Sequence, residues 1–167
     1  AATAIINGGS NAVGNIGSST SYFNRVFATA TTALYADVAE RFAADEVLDA
    51  GTVVELGGVA EITKSQDELS DKVFGVISTR AAYLMNSQAG TDQTHPPVAM
   101  TGRVPVRVEG PCSKGDKLVV GPSGVAIKYQ PSGEENETLS QDKLVGRALQ
   151  DKYTQEEELI EVVLAAH

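Results

Sequence analysis

Two stretches of this chain carry the same turn and strand signals in the same order. The first covers residues 50–80, and the second begins at Lys114. In each, a glycine corner opens a β-branched run, a glycine turn ends it, a short apolar segment follows, and Asp-Lys introduces a run with an internal glycine. The matching positions are Gly51 and Gly115, Gly57 and Gly121, Asp71 and Asp142, and Gly75 and Gly146. The common order indicates that the chain uses one structural unit twice.

Each of these units predicts a β-hairpin followed by a returning strand. Glycine supplies the positive φ angles of tight turns, and the Val, Ile and Leu runs have the length of strands. One such unit cannot cover its own apolar face, so two must pack together. We therefore predict a mainly β fold in which residues 49–167 form a small pseudo-twofold β-barrel from two related units, 50–109 and 114–165.

A strong strand signal closes each unit, at residues 98–109 and 159–165. In the first, valines alternate with arginines, Pro105 and a glutamate, the period-two pattern of a half-buried strand. Pro105 has no N–H to donate, so we expect this strand to lie at a sheet edge or to carry a bulge there.

Charge and composition exclude several classes of function. The formal net charge is −9, which argues against a nucleic-acid partner because phosphate binding needs clustered Lys and Arg. Cys112 is the single cysteine, so an internal disulfide or a cysteine metal cluster is excluded. No apolar run approaches the roughly 20 residues that span a bilayer, so no membrane insertion is expected. The first residue is Ala, which indicates a processed chain or a segment of a larger one.

Residues 1–33 differ from the rest, because they consist largely of Ala, Gly, Ser, Thr and Asn. One interpretation is a flexible linker. The other, which the closely spaced aromatic residues favour, is an extended fibrous segment that buries small apolar packets only against identical chains. The predicted oligomer interface then contains Ile5, Ile6, Val13, Ile16, Tyr22, Phe23, Val26, Phe27 and Tyr35.

Residues 34–48 are predicted to form one short helix and a connector into the barrel. Leu34, Tyr35, Val38 and Phe42 fall on adjacent turns of a helix over residues 34–44. Farther along, residues 83–85 of the loop 78–97 are expected in the core rather than at a contact between subunits. Residues 131–141 are acidic and rich in turn residues, so we expect an exposed tip.

No set of residues has the pattern of a catalytic or metal site. His95 precedes two prolines in a loop, and no G-x-S-x-G motif accompanies it. Asp67, Glu68 and Asp71 lack the spacing of a calcium loop, and no glycine-rich segment matches a phosphate loop. Cys112 is interpreted as a structural thiol. We therefore predict no enzyme activity, no cofactor and no metal.

Several motifs resemble those of phage structural proteins. The run G-N-I-G-S-S-T-S-Y-F-N-R-V-F-A, followed by Y-A-D-V-A-E, resembles segments of phage tail fibres and related virion appendages. G-V-I-S-T-R-A-A-Y-L-M-N and V-A-M-T-G-R-V-P-V-R-V-E-G-P are similar to a barrel in large structural proteins of marine and cyanobacterial phages. A more distant similarity is to neck-appendage proteins with an autocleaved intramolecular chaperone. The long helical tail of that type is not seen here, so no autoproteolytic residue is carried over.

The resemblance implies a homotrimer in the virion that acts by assembly with other virion proteins. Its exposed acidic loops would meet a host-surface glycan or protein. Residues 115–164 are also similar to small trimeric capsid-decoration proteins with a β-clip-like barrel, which is the first alternative. The others are a self-cleaving maturation domain of a fibre precursor and a free-standing binding or hydrolytic barrel.

Overall fold

The computed structural model describes residues 8–10, 14–18, 20–25, 33, 35–131 and 139–165. The chain divides into two compact units, Ala1–Thr32 and Ala33–His167. In the described part of the first unit, a turn joins Ser18 and Ser21 through backbone hydrogen bonds. No helix in the described part of the chain is long and apolar enough to cross a bilayer.

The second unit is built from strands. They are β1 (Asp37–Arg41), β2 (Val53–Leu56), β3 (Ile62–Lys64), β4 (Val73–Ile77), β5 (Tyr83–Met85), β6 (Pro97–Glu109), β7 (Lys117–Val120), β8 (Ala126–Lys128), β9 (Leu144–Ala148) and β10 (Glu158–Leu164). Within the described residues, the helices are two three-residue 3-10 helices, Pro122–Gly124 and Gln141–Lys143. The prediction of a mainly β fold is confirmed.

Five strands close into a mixed barrel, in the order β6, β10, β9, β7 and β8. The neighbours are antiparallel except that β8 returns to β6 in parallel, where Val108 pairs with Ala126. Val106, Leu118, Ile160 and other buried residues fill this barrel. Most of these residues are Val, Leu, Ile or Ala, so the core is aliphatic.

The first half of the second unit surrounds its own buried cluster. Here β3, β2, β4, β6 and β1 are neighbours in turn, and a parallel bridge between Ala44 and Ile62 joins the ends. The rings of Phe42 and Phe74 pack edge to face beside this cluster, 5.0 Å apart. The 13-residue strand β6 is shared, with its first part in this ring and its second part in the closed barrel.

The two halves have the same pattern of strand pairing. A hairpin, β2–β3 or β7–β8, is followed by a strand that returns beside its first member, β4 or β9. The register shifts at the same place in both, directly after the pairs of Val54 with Gly75 and of Leu118 with Gly146. The division into two related units, 50–109 and 114–165, stays a prediction.

Gly75 and Gly146 hold equivalent places because the next strand passes close to both. A Cβ added at Gly75 would lie 2.5 Å from the Ala99 oxygen and 2.7 Å from Val98 Cγ1. A Cβ at Gly146 would meet the Val163 oxygen and lie 2.8 Å from Val162 Cγ1. Only glycine lets the strands approach this closely.

The short helix predicted over residues 34–44 is wrong, because residues 37–41 form β1. This strand pairs with β6 on one side and in parallel with β5 on the other. Buried Asp37 and Ala39 alternate with half-buried Val38 and Glu40, which is strand periodicity. So short a stretch satisfies both periodicities, and pairing with two strands decides between them.

Pro105 lies in the middle of β6, opposite Glu161 of β10. On either side of it, Arg103 and Arg107 donate their backbone N–H groups away from β10, to Ala36 and Gly51. The N–H that Pro105 lacks would point in that direction, where no strand of the described chain pairs with this part of β6. Its position on the unpaired edge agrees with the expectation from the sequence.

Candidate functional site

The predicted oligomer interface can be compared with the structure at four positions. In the first unit, Ile16, Tyr22 and Phe23 are 79%, 72% and 65% exposed. A turn in which Ser18 Oγ accepts the Ser21 N–H precedes the aromatic pair. Within the first unit, these three side chains therefore expose large apolar surfaces to solvent. The remaining predicted residues of the first unit lie outside the described part of the chain, namely Ile5, Ile6, Val13, Val26 and Phe27.

Tyr35 belongs to the second unit and is bound to it. Arg80 Nη1 donates to the Tyr35 hydroxyl at 3.0 Å, and the guanidinium carbon lies 6.0 Å from the ring centroid. The ring is 39% exposed, so its outer face is open. The structure leaves the role of these four residues in association a prediction.

His95 and its surroundings do not form a hydrolytic site. Its Nδ1 lies 3.1 Å from Thr94 Oγ1, and its carbonyl oxygen accepts from Arg41 Nη1 at 2.7 Å. The nearby carboxylate of Asp92 forms an ion pair with the same guanidinium at 2.8 Å. The contacts position a loop rather than activate a nucleophile.

Two other chemically notable groups have structural surroundings. Burial, with a smaller contribution from Asp116, raises the pKa of the Cys112 thiol, which favours its protonated form. Buried Asp37 accepts a hydrogen bond from Ser78 Oγ at 2.5 Å, which ties β1 to the end of β4. Within the described residues, no three His, Cys, Asp or Glu side chains cluster as metal ligands would.

A groove of about 550 Å³ runs along β8 of the closed barrel. Its lining includes Lys128, Tyr129 and Gln130, which follow one another along the chain, and Leu69, Glu109 and Gln155. A second depression of about 360 Å³ shares Lys128 and Gln130 with it and extends to Tyr153, which is 84% exposed. The lining mixes apolar, amide and charged groups.

A rigid apolar tip projects from the first half of the second unit. Val59, in the turn between β2 and β3, is 100% exposed. The Asp45 carboxylate accepts the backbone N–H groups of Val59, at 3.1 Å, and of Ala60. Gly58, at φ +83°, leaves no room for a Cβ beside that carboxylate. The tip therefore presents a fixed hydrophobic side chain to solvent.

Acid should release this tip. Hydrogen bonds to Asp45, first from Ala60 N–H and then from Val59 N–H, hold the pKa of its carboxyl below the usual value. The hydrogen bonds that hold the tip are therefore fully formed above about pH 4, the ordinary pKa of Asp. They are lost as the pH falls through the lower pKa that Asp45 has in the folded protein. NMR should show pH-dependent loss of protection at the Val59 and Ala60 amides, and Asp45→Asn should remove the pH dependence. Unchanged titration in Asp45→Asn would contradict this prediction.

Two basic residues lie side by side on the outer face of the closed barrel, although the chain as a whole is acidic. Lys117 pairs with Arg147, and Arg147 pairs with Val163, which is 42% exposed. The same positions in the first half are Val53, Val76 and Ala99, and all of these are 0% exposed. A face that is covered and apolar in one half is thus open and positively charged in the other.

The tip and the groove did not stand out from sequence patterns alone. Val59 is one valine in a glycine turn, and the groove residues lie in five separate segments. The repeat offered a usable signal, because it aligns the turn after Gly57 with the turn after Gly121. Comparing what surrounds these two turns requires coordinates.

No protein-family model matches this chain, and no curated protein matches it. Among solved structures, the fold is similar to the pre-mature bacteriophage phi29 gene product 12, with a TM-score of 0.58 and 16% sequence identity. The similarity covers 86% of this chain and 23% of the phi29 chain. At this identity the likeness is one of fold. The chain thus resembles a part of a much longer phage protein.

Proposed function

We propose that this chain is a structural, non-enzymatic module of a phage or phage-like particle. In this proposal, it acts as a trimeric tail-fibre or appendage component in the virion. The supporting observation is the likeness of its fold to part of phi29 gene product 12. The sequence motifs resemble fibre and appendage segments independently of that likeness.

The first unit supports association rather than a linker role. Tyr22 and Phe23 are exposed side by side in a segment with a defined turn, and burying two aromatic side chains contributes several kcal/mol. Copies of this segment would bury these packets against one another around a threefold axis. Other virion proteins would then hold the assembled module, and a host-surface glycan or protein would bind its exposed loops.

Light scattering after size exclusion tests this proposal. The full chain should have the mass of a trimer, and Tyr22→Asp with Phe23→Asp should raise the dissociation constant by more than about tenfold. Tyr83→Asp is the matched control, because Tyr83 is an equally exposed aromatic residue at 64% but lies on β5 of the second unit. Its mass should equal that of the unmodified chain.

Three other outcomes would each favour one of the alternative functions. A monomer would contradict the trimeric module and favour a free-standing binding barrel. A trimer that survives the double substitution but binds capsids would favour the capsid-decoration alternative. A peptide bond cut during maturation of a longer precursor, seen by intact-mass measurement, would favour the self-cleaving domain.

A further inference from the structure

A turn of the closed barrel docks on the first half of the second unit. This turn is Pro122–Gly124, and the Gly124 N–H donates to the Ser65 oxygen at 2.8 Å. A Cβ at Gly124 would lie 2.6 Å from Thr52 Cγ2 and 2.7 Å from Lys64 Cγ. The turn thus packs tightly against Thr52, Lys64 and Ser65, which form its seat.

The strand pairing defines what corresponds to this contact in the other half. Leu56 pairs with Ile62 as Val120 pairs with Ala126, so the turn equivalent to Pro122–Gly124 is residues 58–60. That turn is the apolar tip, where Val59 is 100% exposed. Among the described residues of its own chain, Val59 therefore has no equivalent seat.

The equivalent seat is also present and open. Val54 pairs with Lys64 as Leu118 pairs with Lys128, so Lys64 and Ser65 correspond to Lys128 and Tyr129. These two residues line the groove of about 550 Å³. Among the described residues, one turn therefore packs against its seat, one exposed turn has no seat, and one seat lines a groove.

We propose that the tip of one copy docks in the groove of a second copy, in a head-to-tail contact that repeats between chains the contact found within the chain. Val59 enters the groove beside Tyr129, and the Asp45 hydrogen bonds hold the tip ready, so little entropy is lost on docking. This inference rests on the proposed assembly role of the chain and names the surfaces that the assembly uses.

Charged groups lie on both surfaces. The tip carries Asp45, which accepts the Val59 N–H, and Glu61, which accepts the Ala43 N–H. The charged residues that line the groove are Glu68, Glu109 and Lys128. Lys128, which also pairs with Asp116, is the groove residue that attracts the acidic tip.

The symmetry of such a contact is restricted. Because the proposed contact is head to tail, it propagates from copy to copy. It closes into a ring when the rotation allows, and a trimer is one such ring. A reciprocal twofold pair would also fill every tip and every groove, so light scattering, which separates a dimer from a trimer, decides between the two.

Disulfide trapping with full-length chains tests the contact. One variant carries Val59→Cys, and the other carries Gln130→Cys in the exposed part of the groove. Cys112 is retained in both, because it is only 5% exposed. Mixed and mildly oxidised, they should give about tenfold more covalent heterodimer than Val59→Cys mixed with Tyr83→Cys, since docking raises the effective concentration of the paired thiols.

A second pair of variants tests the charge. Lys128→Glu should lower the yield of the Val59–Gln130 heterodimer by about tenfold, because the groove then has no cation to meet the acidic tip. Lys72→Glu, on an exposed residue outside the groove, should leave the yield unchanged.

Equal heterodimer yields for the groove and control mixtures would overturn the inference. If the unmodified chain is then still a trimer by light scattering, the proposed function stands and another surface holds the copies together. If it is a monomer, the proposed function fails as well. The two failures are therefore distinguishable in one set of samples.

Discussion

Gly146→Ala is expected to destabilise the second unit by about 3 kcal/mol or more, although it adds a single methyl group. The new Cβ would meet the backbone oxygen of Val163 and lie 2.8 Å from Val162 Cγ1. Backbone cannot rotate away as the end of a side chain can, so β9 and β10 would have to separate where Leu164 pairs with Gly146. The loss should appear as a lower urea midpoint with an unchanged slope.

A control separates this steric effect from the backbone freedom of glycine. Gly57 has φ +135°, and a Cβ there would find no atom within 4 Å. Gly57→Ala therefore carries only the conformational penalty, about 1–2 kcal/mol. Gly75→Ala should behave like Gly146→Ala, because its Cβ would lie 2.5 Å from the Ala99 oxygen. Losses at Gly146 no larger than at Gly57 would contradict the close-packing explanation.

The strands of the closed barrel could be predicted from the sequence because glycine and periodicity act locally. Gly51 and Gly115 have φ angles of +83° and +92° at the corners where the sequence predicts turns. Val104, Val106 and Val108 are buried, and they alternate with polar residues as the period-two pattern requires. These signals need no knowledge of distant contacts.

The helix prediction failed where local signals were ambiguous. β1 is five residues long, and its burial depends on β5 and β6, which are remote in sequence. In the closed barrel, the second half of β6 occupies the place that β1 has in the first half. Val104 and Val106 then correspond to Glu40 and Phe42. The two sequences are too different to reveal the relation, so the pairing had to be observed.

The candidate site was hardest to predict because it depends on comparing two environments. Val59 and Ser123 occupy equivalent turns, yet one turn is seated and the other is exposed. Nothing in the residue types marks this difference. The aromatic packets of the first unit, in contrast, could be singled out from the sequence because Tyr22 and Phe23 are conspicuous among small residues.

The burial of Lys152 could not be predicted from its neighbours in sequence, because it lies in a polar stretch whose composition is typical of an exposed turn. It is 3% exposed, and its Nζ donates to the carbonyl oxygens of Gly110 at 3.0 Å, Thr154 at 2.8 Å and Glu156 at 2.5 Å. Three acceptors match the three protons of the ammonium group, so the charge is fully hydrogen-bonded. The lysine thereby ties the loop before β10 to the end of β6.

Lys152→Met is expected to destabilise the second unit by about 3 kcal/mol, since it keeps the aliphatic stem but leaves three carbonyl oxygens without a donor. Lys72→Met is the control, because Lys72 is exposed, and its effect should stay within about 0.5 kcal/mol. Urea unfolding of both variants measures the difference, and NMR should show the amide of Gly110, whose N–H donates to the Gln155 oxygen, losing protection in Lys152→Met. If both substitutions change stability equally, the buried ammonium does not hold this loop, and the carbonyl oxygens must find water instead.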